Sequence, residues 1–163
     1  MNKTALVLIA LALAGPALAK DDFSKTILDA HNRERASVHV PSLAWNAGLA
    51  ANAAVWAKHL ADTGQFEHSS FEARKGEGEN LWEGTRGGFA PAEMVGAWAA
   101  EKSYFDGGAF KNGMTNGHVT GHYTQMIWRD TRTVGCAMAS ARGVDVLVCR
   151  YSPAGNVVGE APH

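Results

Sequence analysis

The sequence predicts an α+β fold, a three-layer α-β-α sandwich around a central, mainly antiparallel sheet. Two observations carry this. Residues 134–140 and 144–151 read as strands around Arg142-Gly143, and both are apolar on both faces: Ala137, Ala139, Val146 and Val148 on one, Met138 and Leu147 on the other. A sheet that is apolar on both sides must be covered on both sides. Upstream, apolar residues recur at helical spacing, and those helices supply the two covers.

The chain opens as an export signal. Lys3 is the positive region, residues 5–14 are the apolar run, and Ala17-Leu18-Ala19 is a small-x-small cleavage site that leaves Lys20 at the new N-terminus. Residues 1–19 are therefore expected to be a signal peptide and residues 20–163 a single domain. No stretch reaches the ~20 apolar residues of a membrane-spanning helix, so none is expected after signal removal. The destination is secretion or the periplasm. With 15 basic and 16 acidic residues, the chain has a net charge of -1 and no basic stripe. This argues against nucleic acid or an anionic membrane surface as the main partner.

Each element has its own local reason. Asp21 and Asp22 can cap a first helix running to about residue 36, with Phe23, Ile27 and His31 on its inward face. Asn46 caps a second helix with an inward stripe of Leu49, Ala53, Trp56 and Leu60, and Gly64 ends it. Residues 65–78 read as a loop and residues 79–83 as a short strand. Pro91 suits the start of a third helix, which carries Met94, Trp98 and Glu101 on one face. A carboxylate beside a Trp on that face asks for a partner. Residues 105–121 form a long glycine-rich loop. Residues 122–126 make a short fourth helix. His122, Thr124 and Gln125 all need partners if buried, so this helix is expected to line a cavity.

Cys136 and Cys149 sit in the two final strands. In an oxidising compartment they are expected to pair. If Arg142-Gly143 is a two-residue loop, the cysteines fall opposite each other in a non-hydrogen-bonded pair. A bulged turn would shift the register by one. The alternative is two free buried thiols.

Four residues could carry chemistry: His68, Glu79, Glu101 and His122. Two imidazoles and two carboxylates could bind a divalent metal such as Zn²⁺ or form an acid/base cluster. They are scattered, with no local motif of the H-E-x-x-H kind. His31 reads as a satisfied core residue and His118 as solvated. His39, His59 and His163 have no surroundings that suggest chemistry. No G-x-S-x-G elbow, phosphate loop or dinucleotide fingerprint is present.

Four segments together resemble the CAP superfamily, which takes in cysteine-rich secretory proteins, venom antigens and plant pathogenesis-related proteins. They are His31-Asn32-Arg33-Glu34-Arg35, Gly78-Glu79-Asn80-Leu81, Gly121-His122-Tyr123-Thr124-Gln125-Met126-Ile127-Trp128, and the run from Val146 through Cys149-Arg150-Tyr151 to Val157. The resemblance implies the α-β-α sandwich. It also selects His68, Glu79, Glu101 and His122 as cavity residues. If they converge, ligand chemistry makes His68 and His122 candidate ligands for a weak, optional Zn²⁺, with Glu79 and Glu101 nearby, because they come from separate loops and helices. His31, Asn32, Arg35, Asn80, Tyr123, Gln125 and Trp128 are by the same match structural. The chain has two cysteines where the secreted animal and plant members usually have more. No cysteine-rich C-terminal module is expected, so the ion-channel activities of the larger members are not implied.

The expected function is binding of a small hydrophobic ligand of the lipid or sterol class, beside the glycine-rich loop with Tyr104, Phe105 and Phe110. One rival is a metal-assisted peptidase or esterase, with His68 and His122 as ligands and Glu79 or Glu101 as general base. Another is a secreted protein-interaction module, which would show a flat apolar patch away from the cleft. The sequence gives neither the oligomeric state nor an assigned catalytic residue.

Overall fold

In the computed structural model, which describes residues 17–74 and 76–163, the first helix, α1, spans Ala17–Ser37. It starts ahead of the Asp21-Asp22 cap expected from sequence, because Ala17, Leu18 and Ala19 are strong helix formers and nothing stops the helix at Asp21. The rest of the expected leader, residues 1–16, lies outside the described residues. A two-residue strand, β1 (Ala44–Trp45), follows and was not legible in the sequence.

Asn46 then fixes the start of α2 (Ala47–Thr63). Its side chain accepts from Gly48 N at 2.8 Å and Leu49 N at 3.1 Å, and Gly64 closes the helix in the left-handed conformation. The expected loop after it contains one helical turn, α3 (Phe71–Arg74). The strand β2 (Gly78–Thr85) is longer than expected. Pro91 opens α4 (Pro91–Ala100), where the Glu93 carboxylate accepts from Ala90 N. A 3₁₀ turn, Glu101–Ser103, follows. The glycine-rich loop folds a small hairpin, β3 (Met114–Thr115) with β4 (His118–Val119), before α5 (Gly121–Met126). The chain ends in β5 (Thr133–Ala141) and β6 (Val144–Ser152).

The main sheet has the order β1-β5-β6-β2. β5, β6 and β2 are antiparallel, and β1 joins β5 in parallel at Thr133 and Val134. Arg142 and Gly143 both have positive φ, 54° and 84°, as a type I′ turn requires. The loop is therefore the two-residue one. Cys136 faces Cys149, and the two form a disulfide.

The two sheet faces are covered differently. On one, Ala53, Ala57, Leu60 and Ala61 of α2 pack on Leu81, Val146 and Val148. The alanines let the helix come close: a Cβ on Gly135 would lie 2.3 Å from both Ala50 N and Asn46 O. On the other, α1, α4 and α5 supply Ile27, Met94, Val95, Trp98 and Met126 against Val134, Leu147 and Tyr151. Each such large side chain contributes roughly 1.5–3 kcal/mol by burial. This is the expected three-layer sandwich. Met138 departs from it, being 43% exposed, because β1 pairs only with the start of β5 and leaves the rest of that strand at the sheet edge. Among the described residues no helix is long and apolar enough to cross a membrane.

Candidate functional site

Buried polar groups first lock the frame on which the site is built. Arg35 lies under the loop after α5 and donates to four carbonyls: Pro41 (2.6 Å), Met126 (2.9 Å), Trp128 (2.8 Å) and Thr131 (3.1 Å). Burial, with the nearby charge of Arg132, pulls its guanidinium down to about 10. Asn32 pins the approach to β1 through Leu43, donating to its carbonyl and accepting from its N–H.

His31 is fully buried and fully satisfied. Its Nδ1 donates to Ile27 O at 2.8 Å, and its Nε2 accepts from the Tyr151 hydroxyl at 2.8 Å. That hydroxyl in turn accepts from Asn80 Nδ2, which also donates to His122 O. Burial pushes the Tyr151 phenol well up and holds His31 down at about 4. His31, Asn32, Arg35 and Asn80 are thus tied into the frame by buried hydrogen bonds. Gln125 belongs with them: it donates to Thr131 Oγ1 and accepts from Gly155 N. Tyr123 and Trp128 are buried beside them.

On this frame stand two imidazole–carboxylate pairs. The first joins His68 Nδ1 to Glu79 Oε1 at 2.7 Å. Glu79 also accepts from Ser69 N (3.0 Å) and Ser69 Oγ (2.8 Å), and its Oε2 is ion-paired with Arg150 Nε at 2.9 Å. Arg150 Nε lacks hydrogen-bond alignment, but the guanidinium also donates to Ser69 Oγ and to Glu77. Burial alone would raise the Glu79 carboxyl. The His68 bond, the Arg150 charge and the two Ser69 bonds outweigh it and hold the group below its usual range.

The second pair joins His122 Nδ1 to Glu101 Oε1 at 2.5 Å. Glu101 Oε2 accepts from His122 N (3.0 Å) and Tyr123 N (3.1 Å) in the first turn of α5. The His122 ring stacks on Trp98, with centroids 6.0 Å apart and planes 17° apart. Glu101 has the partner its position beside Trp98 demanded.

In both pairs the carboxylate accepts from Nδ1, so each imidazole presents Nε2 as the free nitrogen. A cavity of about 290 Å³ is lined by His68, Glu79 and His122, with Phe110, Met114 and Val119 from the glycine-rich loop. Glu101 is not on its wall and reaches the cavity only through His122. A second cavity, of about 310 Å³, shares His68, Glu79 and Asn156 with the first and extends to Phe71 and Arg74. Among the described residues no group of three or more His, Cys, Asp or Glu side chains is gathered to hold a metal ion.

Sequence reasoning gave no role to Ser69, Arg74 or Arg150. A signal for Arg150 existed: a charged residue inside the apolar run of β6 needs a buried counter-ion. Ser69 and Arg74 had none, because their roles arise only when the loop after α2 folds against β6. His118, expected to be solvated, is exposed but stacks face to face on Tyr104 at 3.9 Å. His59 stacks on Trp56 at 4.6 Å.

The three-layer sandwich is the architecture that the sequence resemblance implied. The family model for CAP, the cysteine-rich secretory protein family, matches residues 28–151, and the chain belongs to this family. Pathogenesis-related protein 1B of Nicotiana tabacum is 40% identical over 137 residues, covering 83% of this chain and 78% of the relative. GLIPR1-like protein 1 of Homo sapiens is 30% identical over 166 residues, covering 91% of this chain and 65% of the relative. The crystal structure of NaASP2 with Zn²⁺ superposes with a TM-score of 0.75 at 25% identity, covering 88% of this chain and 85% of that one.

Proposed function

We propose that this chain is an exported CAP-family binding protein. Its groove takes a small hydrophobic ligand of the lipid or sterol class and, optionally, a divalent metal on His68 and His122. One observation carries the reading. Two imidazoles fixed by carboxylates face a cavity whose other wall is Phe110, Met114 and Val119 from the glycine-rich loop. A hydrophobic wall opposite a few oriented polar groups is the usual build of a small-ligand site.

The donor set suits zinc in one respect. Carboxylates on Nδ1 orient the rings and raise their basicity, the usual outer-shell support for metal-binding histidine. Only two side-chain ligands are then on offer, so water must complete the shell and binding should be weak. The Zn²⁺ in the NaASP2 structure supports trying this metal first. A metal there would polarise a bound oxygen. The hydrolase reading also needs a free general base, and both glutamates are already engaged: Glu79 by Ser69, His68 and Arg150, and Glu101 by His122 and Tyr123 N.

Zinc titration calorimetry at neutral and mildly acidic pH tests the metal half. Ligation needs the deprotonated imidazole, so weak binding that falls on acidification and is lost in His68→Ala and His122→Ala is expected. Equal binding by wild type and both variants removes these histidines as ligands. Mass spectrometry of organic extracts of the secreted protein tests the other half. A co-purifying apolar molecule is expected, and its absence together with no uptake from a lipid mixture overturns carriage.

A further inference from the structure

The two edges of the main sheet are finished differently. β2 forms one of them and carries Glu79 and Glu83. Its Leu81 carbonyl accepts from Trp98 Nε1 at 3.0 Å, and Gln125 of α5 sits so close to Gly78 that a Cβ there would lie 2.1 Å from its Oε1. Charge and cover of this kind keep an edge from pairing with another chain. At the other edge β1 pairs only with Thr133 and Val134, so β5 is open from Gly135 to Ala141. Residues 134–141 include no charged residue and no proline.

The open part is also aligned for pairing. Asn46 N donates to Val134 O at 2.9 Å, so the Val134 backbone faces this edge. Alternation along the strand turns the N–H and C=O groups of Cys136, Met138 and Ser140 the same way. Among the described residues these outward groups have no partner. Both flanks are apolar. Met138 is exposed on one face of the strand. Toward the other, Ala51 and Ala54 of α2 are exposed and border an apolar crevice of about 200 Å³ with Phe23 and Trp45.

We propose that the free half of β5 is a self-association edge. It pairs antiparallel with β5 of a second copy across a two-fold axis and joins the two four-stranded sheets into one. The occupant follows from charge. An uncharged strand laid antiparallel on itself brings no like charges together, and a net charge of -1 adds little long-range repulsion. The small side chains of Ala51 and Ala54 let a second α2 approach. β1 confines the contact to the end of β5, which buries less than the ~1,200 Å² of a stable interface, so the dimer is weak and concentration-dependent. Glu79 lies on β2 at the far edge, so pairing covers neither groove and is independent of what the grooves bind.

Sedimentation velocity of the purified protein from about 10 µM to about 1 mM, with amide hydrogen exchange at the same concentrations, tests it. A reversible monomer–dimer equilibrium is expected in this range. The Met138 and Ser140 amides should exchange more slowly at its upper end, and the Glu83 amide should not change. Met138→Pro removes one outward N–H and no bond to β6, and Met138→Lys sets like charges facing each other near the axis. Each is expected to weaken the dimer about tenfold or more, the size of one net hydrogen bond. Val158→Lys, at an exposed apolar side chain elsewhere, should leave it unchanged. A monomer throughout, a dimer in which these amides still exchange fast, or a dimer indifferent to both Met138 variants overturns the proposal. Protection of the same amides in a monomer would mean that another extended chain occupies the edge, which overturns it too. The exchange data come from the wild type, so a folding defect in a variant cannot mask the outcome.

Discussion

The two imidazole–carboxylate pairs look alike and are anchored by different physics. Glu79 has a side chain 0% exposed and sits against the equally buried Arg150 at 3%, while its histidine, His68, is 52% exposed. Glu101 is 14% exposed, has no Lys or Arg ion-paired to it among the described residues, and is held by two backbone N–H groups at the start of α5. His122 is 27% exposed and stacked on Trp98. In one pair the carboxylate belongs to the core and the imidazole to the surface. In the other both are fixed at the groove wall. A carboxylate that neutralises a buried cation is part of the fold, whereas one that caps a helix turn is chiefly a positioning device.

Removing each carboxylate is the sharpest way to separate them. Glu79→Ala strips Arg150 of one of its two carboxylates and leaves a buried guanidinium partly unpaired, with an expected loss of about 3–5 kcal/mol. Glu101→Ala frees two N–H groups and one imidazole at the cavity's edge, and about 1–3 kcal/mol is expected. Urea denaturation midpoints of the two variants decide it. Equal losses would mean that the Arg150 ion pair is not what distinguishes the pairs.

Acid sharpens the comparison through a third histidine that has no carboxylate. His31 falls from its ordinary 6.5 to about 4 because burial disfavours the charged ring. Its folded-state pKa is depressed, so the unfolded chain takes up a proton that the native state refuses between those values. Stability is therefore full above pH ~6.5 and is lost as pH falls toward 4, by about 3 kcal/mol in all. Glu79 acts lower. Its carboxyl is also depressed, so its contribution is present above 4.5 and lost as pH falls through the folded value. Denaturation midpoints across this range, with an NMR titration of the His31 ring, check both. A ring that protonates near pH 6.5 in the native state would break the account.

Much of this was legible in the chain. The Asn46 and Gly64 caps, Pro91, the Arg142-Gly143 turn and the cysteine register are local signals, and each holds in the structure. Glu101 was legible because a carboxylate on the Trp98 face had to find a partner. The two-residue strand at Ala44–Trp45 and the hairpin around residues 114–119 were not, since elements so short carry no periodicity. Nor was the grouping of the site. His68 and Glu79 meet because β2 pairs with β6 and brings Arg150 beneath them, a consequence of tertiary pairing that no local window contains. Arg74 is missed for the same reason: in Ala73-Arg74-Lys75-Gly76 it reads as solvated until its cavity is seen.

The smallest expected effect concerns the histidines themselves. His68→Ala removes a half-exposed ring and one of the donors to Glu79, whose Ser69 bonds and Arg150 charge remain, so less than about 1 kcal/mol is expected. His122→Ala removes a ring stacked on Trp98 and leaves Glu101 with its two backbone donors, for which about 1–2 kcal/mol is expected. The histidine order is thus the reverse of the carboxylate order. The pair with the more important acid has the less important base. Thermal unfolding of the two variants at neutral pH, without added metal, measures it. If His68→Ala proves the more damaging, the His68 ring is holding the loop after α2 in place, and the division between a core-anchored and a wall-anchored pair fails.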